Sequence, residues 1–572
     1  MTQIALYPFL FGLGIGIYFA LPFEPNLWIT LVVIELIIFL AIIWRYYRGR
    51  LIILGYISLV VLGFANIQLK SNYLSYNKIT NKEDVIYLKG NIDFKDFNIK
   101  GNPRYTLTNI TDFDDEPIFN KIRVSAMFSS FNVGQCIEMV ANIMPPFSPP
   151  FYGAYDFSRK AFYNSLQANG FSTTRAYEIE CEKNKLYIIS NIREKIMDKI
   201  NKYVPKSEAG IVTALIAGEK GKILQQQKEN YRNSGLAHIL SISGMHISMI
   251  AGLMFLLVRT LLVFIPNFAL KYDTKKISAI TAMLFATFYL LISGMQIPTQ
   301  RAYIMVFIML LGILFDRKAI SIRTISIAAM IILAISPESL VSPSFQMSFA
   351  AVLCMIAFYE KFATQTNNFI KKFGFIISYI LGLIIADLIA SVATLPFAIY
   401  HFNNVAAYTS LANMLAGPII GIIVMPFILI SLISMPFGLE ALPLKVLSYG
   451  VSLINDITSF VSSLNGATLH LLSMPTWAFV SIILGGLFLC LWQSKIRLYG
   501  IAPIIIGFLS LCFVEKPIAI NLDNPSKFEK MLVIQKYGDI KIKNEEPYGA
   551  VVYKNKTKKL KFNRIWDKKN LL

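Results

Sequence analysis

Apolar runs of about twenty residues recur along nearly the whole chain, separated by short polar stretches. A run of about 20 apolar residues crosses a hydrocarbon core about 30 Å thick. The pattern therefore predicts a polytopic α-helical membrane protein of roughly ten to twelve spans, some of them re-entrant or broken helices. The first run, near Ile4 to Phe23, has neither a basic leader nor an A-x-A cleavage site and reads as a retained helix. A short "EPN" loop leads to a second run that ends at "RYYRGR" (Arg45 to Arg50), and a third extends from Leu51 to about Leu69. The positive-inside bias places Arg45, Arg48 and Arg50 in the cytoplasm, so the third span exits on the far side. The segment from about Lys70 to Lys206 is then extracytoplasmic.

In that segment the period changes from helical to alternating. "DVIYLKGNID", "YTLTNITDF", "KIRVSAMF" and "QCIEMVANIM" carry β-formers between turn residues. Short strands closing on themselves suit a small OB-like barrel, and the pattern also fits other small β folds. A break at "PPFSPPFYG" (Pro145 to Gly153) precedes a predicted helix through "DFSRKAFYNSLQANG" and a strand-like "TTRAYEIE". The expected organisation has four parts: three transmembrane helices over 1–69, an OB-like domain with a linker helix over 70–190, a polytopic membrane domain over 191–514, and a basic tail over 515–572. "KMLVIQKYG" and "GAVVYKN" make that tail a candidate small β appendage.

Composition supports the membrane reading: 572 residues are 55% hydrophobic and 15% charged, with a mean hydropathy of +0.55. The formal charge of +20 fits cytoplasmic loops that follow the positive-inside bias, and it also fits a polyanionic partner. Of five cysteines, Cys354, Cys490 and Cys512 lie in apolar runs, where cysteine packs as a small hydrophobe. Cys136 and Cys181 fall in the external segment, whose oxidising surroundings favour a structural disulfide between them. That segment has no histidine to complete a zinc site.

The chemistry worth locating lies inside the apolar runs, where each polar side chain is costly. "GLAHILSISGMHISMIAG" (235–252) holds His238, Ser241, Ser243 and His246 around Gly244. On one straight helix the two histidines would lie about 80° apart, whereas a small, glycine-containing middle suits a broken or re-entrant helix facing protein or water. Lining of an aqueous path and hydrogen bonding between packed helices both account for these residues. Further along come Gln300 and Arg301 in "SGMQIPTQRAY", Gln346 in "SPESLVSPSFQMSFA", and Asp387, His401, Asn403 and Asn413 in the run after residue 385. Arg301 also fits a snorkelling position at a helix end. No Walker-A, H-E-x-x-H or G-x-S-x-G motif is present, so the reading is a non-enzyme with neither cofactor nor metal.

"GLAHILSISGMHISMIAG" resembles the signature of the ComEC/Rec2 family, the inner-membrane DNA-uptake channels of bacterial competence. "ALIAGEKGKI", "SGMQIPTQRAY", "ISPESLVSPSFQMSFAAV" and "LPFAIYHFNNVAAYTSLANMLAGP" resemble further family segments in the family's order. "PPFYGAYDFSRKAFYNSLQANGF" resembles the linker after its external OB-like domain.

The resemblance implies a channel that carries single-stranded DNA across the inner membrane during transformation, with the external domain in the periplasm. Implied partners are a periplasmic DNA receptor and a cytosolic helicase-like motor, with a homo-oligomer of the chain left open. Longer members carry a metallo-β-lactamase-like domain marked by H-x-H-x-D-H; no such cluster occurs here, so nuclease activity is expected from a separate protein. Tyr105, Phe128, Phe131 and Tyr155 are candidate base-stacking residues or core aromatics. Two other classes remain open: a secondary transporter or exporter of a small or lipid-linked solute, and a membrane enzyme with His238 or His246 as base.

Overall fold

The computed structural model describes residues 3–35, 52–75, 84–97, 102–126, 131–146, 156–180, 187–317, 320–370, 372, 374–471, 474–492 and 494–513. Arg45 to Arg50, Phe128, Tyr155, Cys181 and the tail from 515 lie outside them, as do the expected strands of that tail. The described residues are mostly helical, with one six-stranded sheet.

Two apolar helices, α1 (Tyr7–Ala20) and α2 (Ile52–Ser75), pack as a pair and lead into the sheet. Its strands are β1 (Asp84–Phe97), β2 (Pro103–Thr111), β3 (Pro117–Ser125), β4 (Cys136–Met144), β5 (Ala168–Ser172) and β6 (Tyr177–Ile179). The strands follow the order β1-β2-β3-β5-β4-β6, and β1 also pairs with β4, so five of them form a closed ring. Closure depends on the length of β1. Its first half pairs with β4 from Asp84↔Ile143 to Asn91↔Cys136, and its second half pairs with β2 from Lys89↔Thr111 to Phe97↔Pro103, with bulges near Lys89 and Ile92. Bulges add bend and twist, which lets one strand serve two partners. Alternation fills the interior: Ile137, Met139, Ala141 and Ile143 on β4 face Leu107, Ile122 and Val124 in one buried cluster.

The helix expected through 156–170 is shorter: α3 covers only Phe157–Tyr163. Ser165 adopts a left-handed φ of 56°, and the Gln167 side chain accepts the Asn120 backbone N–H at 2.7 Å. These two features redirect the chain into β5, which runs parallel to β3 from Ile122↔Ala168. Tyr105 is fully buried, and its hydroxyl accepts the Phe131 backbone N–H at 2.8 Å. It belongs to the barrel core, as does Phe131 packed against it.

Beyond α4 (Tyr187–Tyr203) the chain is helical: α5 (Lys206–Ala217), α6 (Gln225–Asn233), α7 (Gly244–Val263), α8 (Thr274–Ile292), α9 (Ile297–Leu314) and α10 (Ile322–Ile335). Then come α11 (Pro343–Ile370), α12 (Phe375–Phe402), α13 (Thr409–Ile419), α14 (Met425–Ser434), α15 (Ala441–Ser463), α16 (Thr476–Leu491) and α17 (Ile501–Leu509). A small hairpin pairs β7 (Asn404–Ala406) with β8 (Thr468–His470). Among the described residues six helical stretches are long and apolar enough to cross a membrane: α7, α8, α9, most of α11 and α12, and Thr409–Phe437. α1, α10 and α16 are apolar but shorter. The last of the six stretches is continuous through Pro418 because a π-helical turn at Ile420–Val424 follows it; such bulges absorb the irregularity a helical proline creates. Short α5, buried from Glu208 to Ala217, packs against α4 and α15 at the centre of the largest apolar cluster.

Candidate functional site

Residues 235–243 form turns between α6 and α7. The two histidines therefore do not share a helix. Gly235 has φ 82°, and a Cβ there would sit 2.1 Å from Thr409 Oγ1 at the start of α13. Only glycine fits both requirements. His238 Nδ1 lies 3.2 Å from the Gly235 carbonyl oxygen. Ser243 is the N-cap of α7, and its backbone N–H donates to His246 Nδ1 at 3.0 Å, with its hydroxyl 3.1 Å from the same atom. Because Nδ1 accepts from a backbone N–H, the ring proton sits on Nε2. His246 is fully buried and acts as an internal cap for the helix start.

Three more polar clusters face this turn region. Arg301, one turn into α9 and 7% exposed, donates from Nη2 to Ser344 Oγ at 2.9 Å and from Nε to the Ile297 carbonyl at 3.3 Å. It is turned inward toward the start of α11, which argues against snorkelling. Gln300 Nε2 donates to the Met295 carbonyl at 2.7 Å. Gln346 Nε2 donates to the Leu340 carbonyl at 2.8 Å, and Gln346 Oε1 lies 2.7 Å from His401 Nε2. Asn413 on α13 donates to Asp387 Oδ1 on α12 at 2.6 Å. Asn403 ends α12 in the left-handed region, with φ 53°.

His238, Ser241, Ser243, Gln300, Arg301, Asp387, His401, Asn403 and Asn413 all line one cavity of about 3210 Å³. His246 and Gln346 do not line it; they stand one layer behind, bonded to Ser243 and His401, which do. The cavity extends from barrel strands β1, β2, β3 and β5, past α3, into the helices as far as Met355 and Tyr359 on α11.

Of the cations of this wall, sequence reasoning singled out Arg301 alone. Arg104, Lys121, Arg123, Arg159, Lys160, Arg193, Lys220, Lys228, Arg232 and Arg301 line it, against Asp93, Asp96, Glu219, Glu338 and Asp387. Four of the five carboxylates already sit beside cations: Asp96 with Arg104, Asp93 with Lys121, Glu219 with Arg193 and Glu338 with Lys70. Burial pulls Lys160 and Lys220 below the usual lysine range, and neighbouring cations add to the effect. Burial likewise lowers Arg123. The wall is thus rich in desolvated positive charge. The available signal was the basic residues on alternate positions of "KIRV" and the adjacent pair in "SRKAF".

The turn at 218–221 joins barrel to helices. Gly218 caps α5 in the left-handed region, and its carbonyl accepts from Gln296 at 2.7 Å. A Cβ on Gly221 would meet the Phe97 ring of β1 at 2.2 Å. Arg193 of α4 donates from Nε to the Ala217 carbonyl at 2.9 Å and lies over the Phe94 ring of β1 at 5.9 Å. The segments "ALIAGEKGKI" and "SGMQIPTQRAY" therefore build the seat of the barrel.

The family described as competence protein matches residues 215–496. ComE operon protein 3 of Bacillus subtilis is 24% identical over 297 residues, covering 51% of this chain and 35% of that protein. Recombination protein 2 of Haemophilus influenzae is 26% identical over 283 residues, covering 48% and 34%. An uncharacterized protein of Aquifex aeolicus is 25% identical over 372 residues, covering 61% of this chain and 82% of that protein. The matched stretch thus spans about a third of the length of the first two relatives. No solved structure matches the chain. The matched region contains the turn of His238 and Ser243, the Arg301 element and the Gln346–His401 pair, and residues 215–496 belong to the ComEC/Rec2 competence protein family.

Proposed function

We propose that this chain is a membrane conduit for single-stranded DNA in competence, with its cavity as the path. Family membership and six membrane-length helices support a membrane protein with a role in DNA uptake. The observation that carries the finer reading is the single cavity shared by barrel and helices, with ten Lys and Arg against five Asp and Glu on its wall. A strand in transit needs a wet route with cations and hydroxyls for its phosphates, and its binding weakens with salt.

In this reading the barrel is OB-like, because the ring β1-β2-β3-β5-β4 closes on β1. It faces the periplasm of the inner membrane and receives the strand there. Cys136 opens β4 opposite Ile179 of β6, two residues before Cys181, and the two cysteines form a disulfide. The full chain makes ten to twelve spans by adding to the six long helices the shorter α1, α10 and α16 and the second and third apolar runs of the sequence, which end at Arg45 and about Leu69. It performs no catalysis: a cytosolic motor pulls, a periplasmic receptor delivers, and a separate protein degrades the other strand. A small-solute transporter fits less well, since pockets for small molecules measure about 300–1,000 Å³ and this cavity is about 3210 Å³.

The test is internalisation of labelled DNA by a transformable host that lacks its own channel. The chain should restore uptake, and Ser391→Trp, which places a bulky ring on the cavity wall, should block it at equal abundance. Normal uptake through the Ser391→Trp protein would refute the path.

A further inference from the structure

We infer that Arg123, Lys160 and Arg301 together form a backbone-phosphate site where the barrel meets the helices, a grip that holds the entering strand by charge and without regard to base. The inference deepens the conduit reading and rests on it. The three residues come from three separate elements, β3, α3 and α9, and all line the one cavity. Lys160 lies within electrostatic reach of both arginines. Bringing like charges together out of water is costly and persists only where an anion offsets it.

The carboxylates that act on these cations, Asp96 on Arg123 and Glu338 on Arg301, are each engaged by another cation. Asp96 acts on Arg123, but Arg104 engages it with two nitrogens, from Nε at 2.8 Å and from Nη2 at 2.5 Å. Glu338 lines the same cavity and is held by Lys70 at 2.9 Å. Arg123 Nε is buried with no hydrogen-bond partner among the described residues. Arg301 meets Ser344 Oγ at 2.9 Å and Ser342 Oγ at 3.5 Å, hydroxyls that orient the guanidinium and leave donors over. A tetrahedral phosphodiester oxygen pair suits two guanidinium forks and one ammonium.

The experiment uses the full chain in nanodiscs and a fluorescent oligothymidylate, with affinity measured across a salt series. Lys160→Gln and Arg123→Gln should each weaken binding about tenfold and reduce the salt slope by about 0.7. Lys275→Gln, at an exposed position at the start of α8 and outside the cavity, should change neither. An oligomer with an uncharged methylphosphonate backbone should bind the unaltered protein far more weakly than the phosphodiester. If the unaltered protein binds DNA and the two glutamine variants bind equally well with an unchanged slope, the cluster is refuted and the conduit reading stands. If a variant fails to fold, equal affinity of the unaltered protein for both backbones refutes the cluster instead. If the unaltered protein binds no DNA at any salt concentration, the conduit reading fails and the site fails with it.

Discussion

At the scale of residues, the polar groups inside the apolar chain are organised in two layers. Ser243, His401 and Arg301 reach the cavity, while His246, Gln346 and Ser344 support them from behind or beside. His246 is thus a positioning residue, and its replacement should resemble that of its partner. Ser243→Ala and His246→Ala should each cost about 1 kcal/mol of helix-start stability. The double variant should cost no more than His246→Ala alone, because loss of the imidazole removes both the hydroxyl contact and the backbone hydrogen bond that Ser243→Ala leaves in place. Thermal melts in nanodiscs check this, and additive losses would separate the two residues. Gly235→Ala should lower folded abundance more severely, since its Cβ meets Thr409 and its φ of 82° is disfavoured for alanine. A normal yield of Gly235→Ala protein in membranes would contradict the turn geometry. The sequence made this motif conspicuous because histidine and serine are rare among apolar residues. It concealed which of them face outward, because that depends on where α7 begins.

At the scale of elements, β1 to β4 were legible from alternation alone, and the structure places them within a few residues of the expected stretches. β5 was not legible. Its sequence "ANGFS" continues a helix-like run, and only the left-handed Ser165 and the hydrogen bond of Gln167 break it. Arg123 and Lys160 escaped notice for a related reason: a lysine or arginine in a polar domain reads as solvated until tertiary packing buries it. The barrel is seated through Phe97 on Gly221. Gly221→Val should unseat it, abolishing uptake while leaving membrane abundance near normal, because barrel and helices have separate apolar cores. Immunoblots of membrane fractions beside the uptake assay check this, and full uptake by the variant would contradict the seating. Cys136→Ala should instead reduce abundance, at a cost of about 2–4 kcal/mol to the barrel if the proposed disulfide forms. Equal abundance of Cys136→Ala and unaltered protein would remove the disulfide.

At the scale of the whole molecule, a small β-barrel and a helical body share one cavity, and desolvated positive charge is concentrated on its wall. The chain's formal charge of +20 is therefore not only a matter of cytoplasmic loops, since ten of its cations face the cavity. The central claim is that DNA passes through this cavity rather than along another face of the helices. The most direct measurement places a photoreactive amino acid at single positions and irradiates cells during uptake of labelled DNA. Ser241, Ser391 and Met355 line the cavity, whereas Leu256 and Leu257 are exposed on α7 away from it. The account predicts DNA adducts at the first three positions and none at the two leucines; adducts confined to the leucines, or equal at all five, would contradict it.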